Sequence, residues 1–264
     1  MNLHNEHEIL LKLLDEIQRI LEDNNIPYFL IGGSAIGAVR NGGIIPWDDD
    51  IDIGIQREYF TGAVQALKQN CQSKIYIPSS KGEYILPFAK VVKKIPGEEV
   101  IDSETNINGA YIDLFPLDHT SNSEFGRLIH YFLFKLGHKI VVSKIKPEFL
   151  NNNLIDKLIY LTTSKLSIPI IFKLRDYYIK FGASVFGESN TFFNFGSPYG
   201  LDKEIYYKNE ILKTQSMDFS GRKVPIATGY DRILRRTYGN YMVTPPKGRQ
   251  HQKHLSEENK DDIL

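Results

Sequence analysis

The stretch Pro46-Trp47-Asp48-Asp49-Asp50-Ile51-Asp52-Ile53 places four aspartates within five positions. No Lys or Arg stands between Arg40 and Arg57 to offset them. Crowded carboxylates repel one another, and at neutral pH they stay ionised together only where a cation neutralises them. Ile51, Ile53 and Ile55 alternate with polar or small neighbours, the period of a half-buried strand. Side chains two apart on a strand share a face, so Asp48, Asp50 and Asp52 are expected on one side and Ile51 and Ile53 on the other. Carboxylates on one strand face, with no His or Cys among them, suit a hard divalent cation, Mg²⁺ first and Mn²⁺ second. The alternative is a solvated acidic loop, the usual fate of a charge run. The isoleucines argue against it, because burying them pins the acids at the edge of a core.

Upstream, Ile9, Leu10, Leu13, Leu14, Ile17, Ile20 and Leu21 form the stripe of an amphipathic helix over residues 6–24. Tyr28-Phe29-Leu30-Ile31 reads as a buried strand, and Gly32-Gly33 as a tight turn after which Ser34 caps a short helix. Downstream, a helix is expected over residues 57–69 and strands at 74–77, 84–92 and 110–115. In the last of these, Asp113 sits between Ile112 and Leu114, a third carboxylate on an apolar strand. The texture then changes. Residues 125–182 hold ten basic residues (Arg127, Lys135, Lys139, Lys144, Lys146, Lys157, Lys165, Lys173, Arg175, Lys180) against three acids (Glu148, Asp156, Asp176), with helical periodicity and a break near Pro147. From about residue 191 the chain reads as loop-rich. Arg249, His251 and His254 form a short basic cluster with too few ligands for zinc, read as a surface tail.

The chain has 264 residues with 32 basic and 32 acidic side chains, so no global field favours nucleic acid. Its one cysteine, Cys71, excludes an internal disulfide framework and fits a reducing compartment. With neither a secretory signal nor a run of ~20 apolar residues, the chain is expected to be soluble and cytoplasmic.

Three features combine: the Gly32-Gly33-Ser34 turn, the Asp50/Asp52 pair on the next strand, and Asp113 on a later one. Glycines let backbone amides approach phosphate oxygens closely. Paired carboxylates hold a metal against phosphates, and Asp113 either completes the metal site or accepts the proton of a hydroxyl. Such a kit suits phosphoryl or nucleotidyl transfer. Arg40 is a candidate phosphate clamp, with an ion pair to Asp48 or Asp49 as its alternative. Lys90, in an apolar strand, is a candidate phosphate ligand, with an edge-strand solubility role as its alternative. Trp47, the only tryptophan, either faces a quaternary ammonium or packs under the acidic loop.

Gly32-Gly33-Ser34-Ala35-Ile36-Gly37-Ala38-Val39-Arg40 followed by Ile45-Pro46-Trp47-Asp48-Asp49-Asp50-Ile51-Asp52-Ile53 resembles the LicD family. Tyr111-Ile112-Asp113-Leu114-Phe115-Pro116-Leu117-Asp118 and Tyr238-Gly239-Asn240-Tyr241-Met242 with Pro245-Pro246 agree with it. The chain departs from the family pattern at Asn240, where Asp is usual, and at Ser220, where Glu is usual.

The resemblance implies an α/β (α+β) fold: a nucleotidyltransferase-like mixed-sheet core over 1–120, a basic helical insertion over 121–190, and a segment over 191–264 returning to the active site. It implies metal-dependent transfer of a phosphorylated alcohol from a CDP-linked donor, typically phosphocholine from CDP-choline, onto a sugar hydroxyl of a surface glycan. Similar relatives use CDP-ribitol. On this reading Asp50, Asp52 and Asp113 are catalytic. The metal is held by these three with Asp48, and the donor by Gly32, Gly33, Ser34, Arg40 and Lys90. The rivals are true nucleotidyl transfer and a non-catalytic glycan- or membrane-binding protein that kept the fold. If the glycan is lipid-linked, the basic middle is expected to contact an anionic membrane at its inner face, through Lys135, Lys139, Lys144 and Lys146 among others.

Overall fold

The computed structural model describes residues 3–78, 84–95, 105, 107–147, 154–185 and 189–250. Helix α1 (Leu3–Asp23) buries Leu10, Leu13, Leu14, Ile17, Ile20 and Leu21 almost completely, the stripe its periodicity requires. Strand β1 (Phe29–Leu30) leads into the short helix α2 (Gly32–Ile36), which runs on as a single π-helical turn, Gly37–Asn41. Strand β2 (Asp50–Gln56) carries the acidic motif and α3 (Arg57–Asn70) follows without a break. Strands β3 (Lys74–Tyr76), β4 (Ala89–Lys93) and β5 (Ala110–Thr120) complete the first part. The strand expected over 84–92 is thus confined to its second half.

These strands join a mixed sheet in the order β3-β4-β5-β2-β1, in which β2 and β5 run parallel and the other neighbours antiparallel. The two faces of this sheet differ. Ile51, Ile53 and Ile55 of β2 and Ala110, Ile112 and Leu114 of β5 point into the main core, against α1 and α3. Complete burial of each isoleucine contributes about 1.5–3 kcal/mol. Strand alternation therefore commits Asp50 and Asp52, and Asp113 with its neighbours Tyr111 and Phe115, to the opposite face.

After β5 come three helices, α4 (Glu124–Ile145), α5 (Leu154–Thr163) and α6 (Ile168–Val185), with α5 and α6 both packed on α4. Ser123 caps α4 by accepting the Gly126 N–H at 3.1 Å. The fully buried His130 joins three elements. Its Nε2 donates to the carbonyls of Tyr178 and Ile179 in α6, both at 3.0 Å, and its Nδ1 accepts from Thr120 Oγ1 of β5 at 3.0 Å.

The expected loop-rich tail is instead structured from residue 191 onward. Strands β6 (Thr191–Phe193) and β7 (Ile205–Tyr207) extend from the far end of β5, and α7 (Lys208–Ile211) follows. The hairpin β8 (Thr214–Phe219) and β9 (Arg222–Ala227) then adds to the main sheet, with β9 parallel to β1. Helix α8 (Tyr230–Tyr238) comes last, before a 3₁₀ turn at Lys247–Arg249. The strands are short, and the hairpin turns on Ser220 and Gly221, both at positive φ, a geometry suited to a two-residue connection.

Burial lowers the pKa of His130 below its ordinary 6.5, against the weaker opposing pull of the Ile179 carbonyl. The unfolded chain takes up a proton near pH 6.5 that the folded chain refuses, so this contribution is present above that pH and falls as pH drops below it. The loss is at most about 1.4 kcal/mol per pH unit. Urea midpoints at pH 7.5, 6.5 and 5.5 should decline for the native sequence and decline less for His130→Gln. Equal slopes would mean that His130 does not titrate differently in the two states.

Candidate active site

The parallel register of β2 on β5 sets Asp52 opposite Asp113, and the antiparallel register of β4 on β5 sets Lys90 opposite Asp113. Three strands thus bring two carboxylates and an ammonium into one row. Oxygen atoms of Asp50, Asp52 and Asp113 all lie within 4.8 Å of one another, and those of Asp48, Asp49 and Asp50 form a second such group. Asp113 is buried and grips Lys90 with both oxygens, at 3.1 and 3.2 Å.

Lys90 itself is completely buried, with its ammonium 3.3 Å from the centre of the Tyr111 ring, and it is absent from the lining of the cavity. It does not stand where a phosphate would meet it. Nor is it an edge lysine, since β4 is flanked by β3 and β5. Its place is behind Asp113, as a fixed counter-charge.

The glycine turn also makes room for two carboxylates. A β-carbon at Gly32, where φ is +58°, would come within 2.6 Å of Asp52 Oδ2, and one at Gly33 within 2.8 Å of Asp48 Oδ2. Both glycines are bare so that the carboxylates can lie against the turn. Ser34 does not cap α2: its buried hydroxyl accepts the Asp52 N–H at 2.8 Å, while the Ile31 N–H donates to the Asp52 carbonyl at 3.1 Å. Asp52 is therefore fixed through its backbone on both sides. The acidic loop is tied from α1, where His7 Nε2 donates to the Asp48 carbonyl at 2.7 Å.

Asp48, Asp50, Asp52 and Asp113 line one cavity of about 520 Å³ together with Gly32, Gly33, Arg40 and Trp47; Asp49 and Ser34 do not line it. Arg40 donates from Nη1 to the Tyr241 carbonyl at 2.9 Å and stands 5.9 Å from the Trp47 ring, tying the π-helical turn to the C-terminal segment. Burial lowers its pKa, and the charge of Asp48 partly restores it. Trp47 packs on the main core and also lines the cavity.

Much of the rest of the wall comes from residues to which the sequence alone assigned no part in the site. These are Phe134, Lys135 and His138 of α4, the loop Asn194 to Tyr199, Glu204, Tyr206 of β7 and Tyr238 of α8. The pKa values of Tyr206 and Tyr238 are pushed well up, by burial first. Glu204 adds to both, through a 3.3 Å hydrogen bond from the Tyr206 hydroxyl in that case, and the charge of Asp52 adds to both as well. Both phenols are neutral hydrogen-bond donors at neutral pH. Of the two family departures, Asn240 lines the cavity. Ser220 lies at the hairpin turn, where its N–H donates to the Gly42 carbonyl at 2.7 Å. His251 and His254 lie outside the described residues, as does the side chain of Arg249.

A mixed sheet with a carboxylate cluster beside a glycine turn suits phosphoryl or nucleotidyl transfer. The pattern described as LicD/FKTN/FKRP, nucleotidyltransferase domain, matches residues 25–147 of this chain. The lipopolysaccharide cholinephosphotransferase LicD of Haemophilus influenzae is 27% identical over 97% of both chains. The human ribitol 5-phosphate transferase FKRP is 54% identical over 39 residues, 15% of this chain and 8% of that one. The solution structure of the antibiotic-resistance factor ANT(2″)-Ia aligns with 68% of this chain and 96% of that one at 16% identity and a TM-score of 0.28, too slight a likeness to argue from.

Ser34→Ala removes the acceptor of a buried N–H, and the fold should lose about 1–3 kcal/mol in chemical denaturation. An unchanged midpoint would show that Ser34 does not hold β2.

Proposed function

We propose that this chain transfers a phosphorylated small alcohol, phosphocholine from CDP-choline foremost, onto a sugar hydroxyl of a cell-surface glycan precursor. The observation that carries this reading is the meeting of Asp50, Asp52 and Asp113 in one cavity whose other walls include several aromatic side chains. The full-length similarity to a cholinephosphotransferase supports choline over ribitol, since the ribitol transferase matches only a short segment.

The donor set fits a divalent cation: three carboxylates, no nitrogen or sulfur, and oxygens close enough to share one ion, as Mg²⁺ requires. When bound there, such an ion neutralises charge on phosphoryl oxygens. Asp50, Asp52 and Asp113 would hold it, with Asp48 beside them. Because Lys90 grips both oxygens of Asp113, we assign Asp113 to holding charge in place rather than to taking a proton. Tyr238, a neutral phenol close to Asp52, is suited to donate to a phosphate oxygen, and Arg40 to hold a second phosphate at the cavity rim. Trp47, Tyr199 and Tyr206 offer aromatic faces, with Glu204 adding negative charge, a combination that suits a quaternary ammonium. The acceptor hydroxyl oxygen forms its bond to the phosphorus bearing the alcohol, the bond from that phosphorus to the CMP oxygen breaks, and the hydroxyl proton passes to water or to the departing CMP phosphate.

Incubation with CDP-choline, Mg²⁺ and a glycan acceptor should release CMP and leave a phosphodiester-linked choline. Asp50→Ala and Asp52→Ala should abolish release, and Asp113→Asn should lower it by about two decades or more. A nucleotide attached to the acceptor would establish nucleotidyl transfer instead. Near-native turnover in either alanine variant at saturating Mg²⁺ would remove the metal assignment.

A further inference from the structure

The basic middle does not present the charged face expected of it. Lys146 is buried, Lys139 is paired with Asp156, Lys144 donates to the Ser164 carbonyl, and the half-buried Lys135 lines the cavity. What faces outward is apolar. On α4, Phe125, Leu128, Ile129, Phe132 and Leu136 recur at intervals of three, four and seven, a single stripe, with Phe125 72% and Phe132 64% exposed. It lies on the opposite side of α4 from Phe134 and His138, which line the cavity. Helix α5 repeats the pattern with Leu154, Leu158 and Leu161, of which Leu154 is 84% exposed, and α6 adds Ile170 and Tyr177.

A stripe of large exposed apolar side chains along one helix marks a contact surface. Its charges indicate the partner. Lys157, Lys165, Lys173 and Lys180 are exposed on α5, α6 and the turn between them, against a single exposed acid, Asp176, among the described residues from 125 to 185. Apolar stripes rimmed by lysines and tyrosines are the composition of helices that lie in a lipid headgroup region, where lysine stems run along the apolar phase and the ammonium groups meet anionic lipid. No described helix is long and apolar enough to cross a membrane, so these helices would lie on it. We propose that the exposed apolar stripes of α4 and α5 dock the protein on an anionic bilayer by inserting apolar side chains, with the exposed lysines supplying electrostatic attraction. This inference does not depend on the donor or the reaction.

Sedimentation with vesicles of phosphatidylcholine and phosphatidylglycerol at 3:1 tests it. The native chain should bind at low salt, should bind pure phosphatidylcholine at least tenfold more weakly, and should retain measurable binding to the mixed vesicles at 0.5 M NaCl, because insertion is not screened. Phe132→Asp and Leu161→Asp, both at exposed positions, should each weaken binding tenfold or more with an unchanged melting temperature. Should either variant fail to fold, Phe132→Trp keeps the test open: its added fluorescence should shift to the blue on vesicles and be quenched by brominated lipid. No binding at low salt, equal binding by the Asp variants, or an added tryptophan that reports only water would overturn the proposal. So would a native dimer in analytical ultracentrifugation that Phe132→Asp converts to monomer, which would make the face a self-association surface.

Discussion

Negative charge must be concentrated at one point of this molecule, and the rest of the structure is arranged around that constraint. Asp50, Asp52 and Asp113 share a space in which unscreened carboxylates would repel strongly. Two features hold them there. Behind β2 and β5, the buried isoleucines and leucines of the same strands anchor the backbone in the main core, so the acids cannot swing away without exposing them. Beside Asp113, Lys90 sets an ammonium group against the carboxylate from within the sheet. The burial of an ammonium is itself costly unless it is paired, so Lys90 and Asp113 each make the other tolerable.

The register of three strands turns this constraint into geometry. A one-residue slip of β5 against β2 would send Asp113 into the core and Ile112 into the cavity, and the apolar face forbids it. The glycine turn then brings its backbone against the carboxylates of Asp48 and Asp52, at a distance that no other residue type would permit. The C-terminal segment closes the arrangement: β9 extends the sheet beside β1, and α8 delivers Tyr238 to the Asp52 side of the cavity.

Much of this was legible in the chain because it is local. The alternation around Ile51 and Ile53 fixed which aspartates face together, and the periodicity of α1 fixed its buried stripe. What was not legible depends on partners distant in sequence. Lys90 on an apolar strand looks like a free cation until β5 is laid beside it. Ser34 looks like a helix cap until the Asp52 N–H is brought to its hydroxyl. The strands after residue 191 are too short for alternation to stand out, and their partners lie in β1 and β5. Helix α4 is apolar on several sides, so periodicity alone could not separate the face that packs on α6 from the stripe left outside. In the same region a count of lysines overstated the basic surface, because several of those lysines are engaged within the fold.

The central claim is that Asp50, Asp52 and Asp113 constitute one cation site held in place by the sheet. Its most direct test is a Mn²⁺ titration followed by electron paramagnetic resonance on the protein without donor or acceptor, for the native chain and for Asp52→Asn and Asp113→Asn, each shown to be folded. The account predicts that the native chain binds Mn²⁺ through oxygen ligands and that each variant weakens binding at least tenfold, although the two residues come from different strands. Undiminished binding in either variant would contradict it.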